Sequence, residues 1–140
     1  MRPIRLFIAV AVACTAMLAP SSALAQIDTV SVGEAALGPD GTSLTLPVTV
    51  QCEPGSTFFG AIADVTQRKG NRLIRGSGSV FPFPAPACTG EPQTFSVQVS
   101  NFGPFRFQNG RGTATVTVGV QSPTSFDVQT FGPLDIRIHK

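Results

Sequence analysis

The chain has 140 residues, with 10 Lys and Arg, 8 Asp and Glu and one His, which gives a formal net charge of +2. A charge this small excludes a strong general attraction to nucleic acid or to an acidic membrane surface. The length suits one domain rather than several.

The first 25 residues have the pattern of a secretory signal peptide. Arg2 and Arg5 give a short positive region, residues 6–18 are apolar or small, and residues 23–25 (Ala-Leu-Ala) are a peptidase motif. We therefore expect cleavage before Gln26, secretion of the remainder and no membrane segment afterwards. The apolar run is shorter than the roughly 20 residues that a membrane span needs. Loss of the two arginines leaves eight basic and eight acidic residues.

Cysteine usage agrees with secretion. Cys14 lies within the predicted signal peptide, so Cys52 and Cys88 remain as one pair. An even number of cysteines in an exported chain predicts a disulfide. The bond would close a loop of about 37 residues, worth roughly 3–4 kcal/mol in the chain-entropy treatment. The alternative, a reactive thiol or a two-cysteine metal site, lacks a second pair or a nearby histidine.

The first part of the exported chain predicts two strands and a turn. Residues 27–32 form a short strand, and Gly-Pro-Asp-Gly at 38–41 has the composition of a turn. In residues 43–52 every second side chain is apolar, so one face of this strand is buried. Pro47 has no N–H for a ladder, which predicts that this strand lies at a sheet edge or is bulged.

The next segment predicts a hairpin. Residues 58–67 are apolar enough for a central strand, and residues 68–71 form the hairpin tip. The return strand, residues 72–81, contains Gly76 and Gly78. Glycines inside a strand indicate a bulge or a close approach of another backbone.

Two long loops and three strands complete the chain. The first loop, residues 82–92, contains four prolines and is predicted to be extended and stiff. The second, residues 101–112, contains three phenylalanines. The remaining strands are predicted at residues 94–100, 113–121 and 126–138, the last as one strand or as a bent pair divided at Gly132-Pro133.

Seven or eight short strands with regular turn signals, and no helical period in the exported chain, predict an all-β fold. We expect a single antiparallel β-sandwich with one disulfide. The chain differs from antibody domains in two respects. It contains no Trp, and Cys88 lies in a proline-rich loop rather than within a strand.

Four short motifs occur in a recognisable order: Asp-Gly-Thr at 40–42, LTLPVTVQC at 44–52, Gln-x-x-Gly-Asn-Arg at 67–72 and Ala-Cys-Thr-Gly at 87–90. Together with the signal-like amino terminus, they resemble small secreted bacterial immunoglobulin-like domains of unknown function. The resemblance implies export, a single immunoglobulin-like antiparallel β-sandwich of seven to eight strands over residues 26–140, and one disulfide. It provides no established active site to transfer.

The residue types do not predict catalysis. The one histidine, His139, lies one residue from the carboxyl end, so a triad has no base. Paired catalytic carboxylates are conceivable among Glu34, Glu53, Asp64 and Glu91, but only Asp64 has apolar neighbours. Zinc or calcium ligand clusters, phosphate loops and dinucleotide fingerprints do not occur. We predict no catalytic residue, no metal and no cofactor.

Basic residues at the hairpin tip are the first candidate for binding. Arg68, Lys69 and Arg72 are close in sequence, with Arg75 nearby. They predict contact with an anion or a polysaccharide. The alternative is a solvated tip that keeps an exposed strand pair soluble.

Phenylalanines in the two long loops are the second candidate. If they stay exposed at one end of the fold, they form an apolar patch for a partner. The alternative is that they fold back as plugs into the core. These residues are Phe81 and Phe83 in the first loop and Phe102, Phe105 and Phe107 in the second.

Together these features predict a secreted, monomeric, non-catalytic binding or adhesion module. Its expected partner is an extracellular protein or a cell-wall polymer, and neither nucleic acid nor a membrane. The alternatives are a structural surface protein without a specific ligand and an enzyme of unrecognised type.

Overall fold

The computed structural model describes residues 26–140, which form eight β-strands. The predicted signal peptide at residues 1–25 lies outside the described residues. Within residues 26–140, no helix is long and apolar enough to cross a membrane. The strands are β1 (Ile27–Val32), β2 (Ala35–Leu37), β3 (Ser43–Cys52), β4 (Thr57–Lys69), β5 (Arg72–Val80), β6 (Gln93–Phe102), β7 (Gly110–Gln121) and β8 (Phe126–His139).

Seven of these strands close into a barrel. Around the wall the order is β3, β6, β5, β4, β7, β8 and β2, and β2 pairs again with β3. Strand β1 pairs with β3 on the same side as β2, so β1 and β2 form one interrupted strand. Every junction is antiparallel except β2–β8, which is parallel and joins Ala35 to Ile138 and Ala36 to His139.

The predicted immunoglobulin-like β-sandwich is therefore wrong, although eight strands and one disulfide are present. Alternating strands specify one buried and one exposed face, and both a sandwich and a barrel satisfy that pattern. The two architectures differ in which strands pair. Here β3 pairs with β6 on one side and with β1 and β2 on the other, so a single sheet closes around its own buried face.

The edge position predicted from Pro47 is also wrong, because β3 has neighbours on both sides. The Pro47 carbonyl accepts a hydrogen bond of 2.9 Å from the Gly33 N–H. In an antiparallel pair the N and O of one residue point to the same neighbouring strand. The missing Pro47 N–H therefore faces the break between β1 and β2, where the ladder is already interrupted.

The core lies inside the barrel and follows the predicted alternation. Burial alternates strictly along β3, and the inward residues of β4, β6 and β7 are buried as well. Two phenylalanines, Phe58 and Phe107, are the largest fully buried side chains. Strand β8 is one continuous strand rather than a bent pair. Its pairing with β7 is irregular at Gly132-Pro133, opposite Thr115.

The close backbone approach predicted at Gly76 and Gly78 is confirmed. A Cβ on Gly78 would overlap the Gln98 carbonyl oxygen, and one on Gly76 would lie 2.6 Å from the Ser100 oxygen. The same hypothetical atom on Gly76 would lie 2.8 Å from the Phe107 ring. The two glycines therefore allow β5 to press against β6 and leave space for a large ring in the core.

The predicted disulfide between Cys52 and Cys88 is confirmed and has a Cα–Cα distance of 5.4 Å. It joins the end of β3 to the proline-rich loop. Backbone hydrogen bonds fix the same loop, since the Cys88 N–H donates to Ser56 at 2.8 Å and the Phe58 N–H donates to Pro86 at 2.9 Å. This end of the barrel is thus closed by covalent and hydrogen-bonded contacts.

Candidate binding surfaces

All eight Lys and Arg of residues 26–140 lie towards one end of the barrel, which we call the basic end. Strands β4 and β8 end there, β5 and β7 begin there, and the β6–β7 loop crosses it. The basic end comprises Arg68, Lys69, Arg72, Arg75, Arg106, Arg111, Arg137 and Lys140.

Two pairs of these cations are register partners on neighbouring strands. Lys69 lies directly opposite Arg72 on β4 and β5, and Arg111 lies opposite Arg137 on β7 and β8. No Lys or Arg of the described residues makes an ion pair with a carboxylate, whereas His139 Nε2 lies 3.2 Å from Glu34 Oε2. Like charges placed directly opposite each other destabilise a sheet. An external anion that binds between these cations would relieve their mutual repulsion.

Charge is segregated along the barrel although residues 26–140 are neutral overall. Three carboxylates share the basic end with its eight cations, namely Glu34, Asp40 and Asp135, which leaves a formal charge of +5. The opposite end carries no Lys or Arg among the described residues and has four carboxylates, Asp28, Glu53, Glu91 and Asp127. The basic end therefore attracts anionic partners, and the opposite end attracts cationic partners.

Shallow depressions open at the basic end. One, of about 360 Å³, is lined by Asp40, Arg106 and Lys140 among others. The second, of about 400 Å³, includes Arg68 and Arg111 in its lining. Both combine positive side chains with an open shape, which suits an extended anion more than an enclosed small molecule.

The Asp40 carboxylate belongs to the turn that borders the first depression. Thr42 Oγ1 donates to Asp40 Oδ1 at 2.8 Å, and the Thr42 N–H donates to the same oxygen at 3.1 Å. These bonds lower the pKa of Asp40, with a smaller contribution from the Arg106 charge. Arg106 Nη1 also donates to the Asp40 carbonyl at 3.1 Å, so turn and β6–β7 loop are connected.

The three phenylalanines of the β6–β7 segment have different environments. Phe107 is 2 % exposed and fills the core, as the plug interpretation predicts. Phe102 and Phe105 are 59 % and 39 % exposed. The Arg72 guanidinium lies 5.2 Å from the centre of the Phe105 ring, and Arg75 lies opposite Phe102 across β5 and β6. Each exposed ring therefore has an arginine beside it.

A buried amide holds this loop in place. Gln67 is fully buried, its Nε2 donates to the Gln108 carbonyl at 2.7 Å, and its Oε1 accepts from the Gln108 N–H at 2.9 Å. Lys69 Nζ adds a hydrogen bond of 2.6 Å to the Asn109 carbonyl. The basic end thus has a fixed loop rather than a loose one.

Replacing Gln67 with Leu is expected to lower the free energy of unfolding by about 1–3 kcal/mol, because the backbone N–H and the backbone carbonyl of Gln108 both lose their buried partner. Urea unfolding measures the loss, and hydrogen exchange at the Gln108 amide locates it. Gln98→Leu is the matched control, since Gln98 is exposed and its amide reaches only Thr45. An equal loss in both variants would contradict the anchoring role of Gln67.

A second surface, which we call the aromatic patch, lies on the outer wall near the disulfide end. Phe59 contacts Phe81 at 5.8 Å and Phe126 at 5.3 Å between ring centres, both edge to face. The patch comprises Phe59 (47 % exposed), Ile62 (41 %), Phe81 (55 %), Phe126 (55 %) and Val128 (53 %), and we include Phe83 (99 %), two residues after Phe81 in the adjoining loop. The two phenylalanine loops therefore lie at opposite ends of the barrel and do not form one surface.

The wall beneath the aromatic patch is shaped to carry rings. A bulge in β4 leaves Phe59 unpaired between Phe58 and Gly60. Gly60 and Gly119 are register partners, and a Cβ on Gly119 would lie 3.2 Å from the Phe126 ring and 3.6 Å from Phe59. A Cβ on Gly60 would overlap Phe81. Two paired glycines thus form the floor on which three rings lie.

Sequence reasoning found only part of each surface. It identified Arg68, Lys69 and Arg72 because they are adjacent in the chain, but it missed Arg106, Arg111, Arg137 and Lys140 as part of the same surface. It likewise missed Phe59, Ile62, Phe126 and Val128. The available signal was the Phe58-Phe59 pair. Neighbouring residues of a regular strand face opposite sides, so one of these two rings was expected on the outer face.

No protein-family model and no curated protein matches the chain. Within residues 26–140, no three His, Cys, Asp or Glu side chains lie together in a way that could hold a metal ion.

Proposed function

We propose that this protein is a secreted, non-catalytic binding module that holds an anionic cell-surface polymer at its basic end. The observation that carries the proposal is the placement of all eight Lys and Arg of residues 26–140 at this end, none of them in an ion pair with a carboxylate of the described residues. The disulfide supports an extracellular location, because such bonds persist in oxidising compartments.

The distribution of the charges favours a polymer over a single small anion. The cations are spread over four strands, one loop and the last residue, and they do not converge on one enclosed pocket. Six of the eight are arginines, whose planar guanidinium binds carboxylate or phosphate through two parallel hydrogen bonds. The exposed rings of Phe102 and Phe105 offer apolar faces beside these groups. A chain of acidic sugar units matches this combination.

The test is binding of folded residues 26–140 to immobilised polygalacturonate, a carboxylated polysaccharide, at low salt. The variant is Arg68→Ser, Arg111→Ser and Arg137→Ser, because these side chains make no hydrogen bond or ring contact within the described residues. We expect roughly ten-fold weaker binding, since three exposed charge contacts of about 0.5 kcal/mol each give that factor.

A matched control changes the net charge by the same three units away from the basic end. It carries Gln26→Glu, Ser31→Glu and Gln121→Glu, which are all exposed. We expect less than about a two-fold change in affinity for this control. Equal weakening of both proteins would show that only net charge matters and would contradict a site at the basic end. A parallel titration with polyphosphate distinguishes carboxylate from phosphate preference.

A further inference from the structure

We propose that the aromatic patch is a self-association surface on which two copies of this chain pack face to face. This inference does not depend on the basic end, which lies at the other end of the barrel. It replaces the monomer expected from the sequence, because only the fold brings Phe59, Phe81 and Phe126 together.

The exposed area of the patch is the first reason. At about 200 Å² for each phenylalanine side chain, the exposed fractions of Phe59, Phe81, Phe83 and Phe126 amount to about 500 Å². Ile62 and Val128 extend this area. The largest apolar patch on an ordinary monomer spans about 300–600 Å² and is often functional. A contact of this area on each partner lies at the low end for specific complexes, so we expect a weak dimer.

The construction of the patch is the second reason. The bulge at Phe59 and the paired glycines Gly60 and Gly119 hold three rings in fixed edge-to-face contacts. Phe83 projects almost completely into solvent from the proline-rich loop, and the Cys52–Cys88 disulfide fixes that loop to β3. The Phe59, Phe81 and Phe126 rings are therefore preorganised and cost little entropy on binding.

The charges around the patch disfavour an acidic membrane surface and an anionic polymer as its partner. The patch contains no Lys or Arg to attract acidic headgroups, and the same end of the barrel carries four carboxylates. Asp127 stands between Phe126 and Val128 in the chain but lies on the other face of β8, towards the barrel interior. Its carboxylate accepts a hydrogen bond of 2.7 Å from Gln129 Nε2. The apolar side chains of two patches can meet about a two-fold axis, the commonest symmetry among homo-oligomers, while repulsion between the two acidic ends keeps the dimer weak.

In such a dimer, Phe83 of each copy would lie over the Phe59, Phe81 and Phe126 rings of the other copy. This contact gives the most exposed side chain of the patch an apolar environment in both copies. The two basic ends remain free, so a dimer presents two of them to one polymer and gains avidity without new contacts.

The experiment is sedimentation velocity of disulfide-bonded residues 26–140 from about 1 to about 500 µM, where interfaces of this size dissociate. We expect a reversible monomer–dimer equilibrium that shifts at least ten-fold towards monomer in Phe83→Ser with Phe126→Ser. The matched control is Phe102→Ser, which removes a ring of 59 % exposure at the other end and is expected to leave the equilibrium unchanged. Thermal unfolding establishes that each variant is folded.

Three outcomes would overturn the inference. The first is a monomer at every concentration. The second is a dimer that persists in the Phe83→Ser and Phe126→Ser variant, or one that is lost equally in Phe102→Ser. The third is growth into species larger than a dimer, which indicates head-to-tail assembly instead of a face-to-face pair.

Discussion

Replacing Phe107 with Ala is expected to lower the free energy of unfolding by about 3–5 kcal/mol. Phe107 is 2 % exposed and its ring lies against Gly76, where a Cβ would approach it to 2.8 Å. Its backbone N–H also donates to the Gly41 carbonyl at 2.8 Å, so the ring enters the core from a loop that is pinned on both sides. Truncation leaves a cavity that the surrounding strands cannot fill.

The measurement is urea unfolding of Phe107→Ala compared with Phe105→Ala. Phe105 belongs to the same loop but is 39 % exposed and contacts the Arg72 guanidinium. Its removal is expected to cost less than about 1.5 kcal/mol, the sum of a modest apolar contact and one exposed cation–π contact. Similar losses in both variants would contradict the assignment of Phe107 as the core residue of this loop.

Replacing both Cys52 and Cys88 with Ala is expected to lower the free energy of unfolding by roughly 3–4 kcal/mol, because the unfolded chain is no longer closed into a loop of about 37 residues. The two residues are 36 positions apart in sequence. This loss is a large share of the roughly 5–15 kcal/mol that stabilises an ordinary domain.

Chemical unfolding of the double variant, with reduced wild-type protein as the second sample, measures this contribution. Both samples are expected to lose the same stability. Polymer binding at the basic end is expected to persist in the folded variant, because the disulfide lies at the opposite end. A change below about 1 kcal/mol in both samples would contradict a stabilising role for the bond.

The strands were predictable from sequence because alternation is a local property. Burial along Ser43–Cys52 follows the period of two at every position. Barrel closure was not predictable, because it depends on pairs that are distant in sequence. Strand β3 pairs with β6 about 50 residues later, and β2, with three residues and no periodic pattern, provides the parallel junction to β8.

The candidate surfaces were predictable only where their members are neighbours in the chain. Arg68, Lys69 and Arg72 form one hairpin tip and are visible as a cluster. Arg111 and Arg137 become adjacent only through the register of β7 with β8. Phe59 and Phe126 meet because β7 places a glycine, rather than a side chain, between them. Such neighbourhoods follow from the topology and not from local periodicity.

The proposed binding of an anionic polymer at the basic end is tested most directly by titrating wild-type residues 26–140 with polygalacturonate at several salt concentrations. Binding by several unpaired arginines releases counterions, so we predict at least a ten-fold rise in Kd between about 50 and about 200 mM salt. Absence of binding at the lowest salt, or a Kd that does not change with salt, would contradict the proposed function.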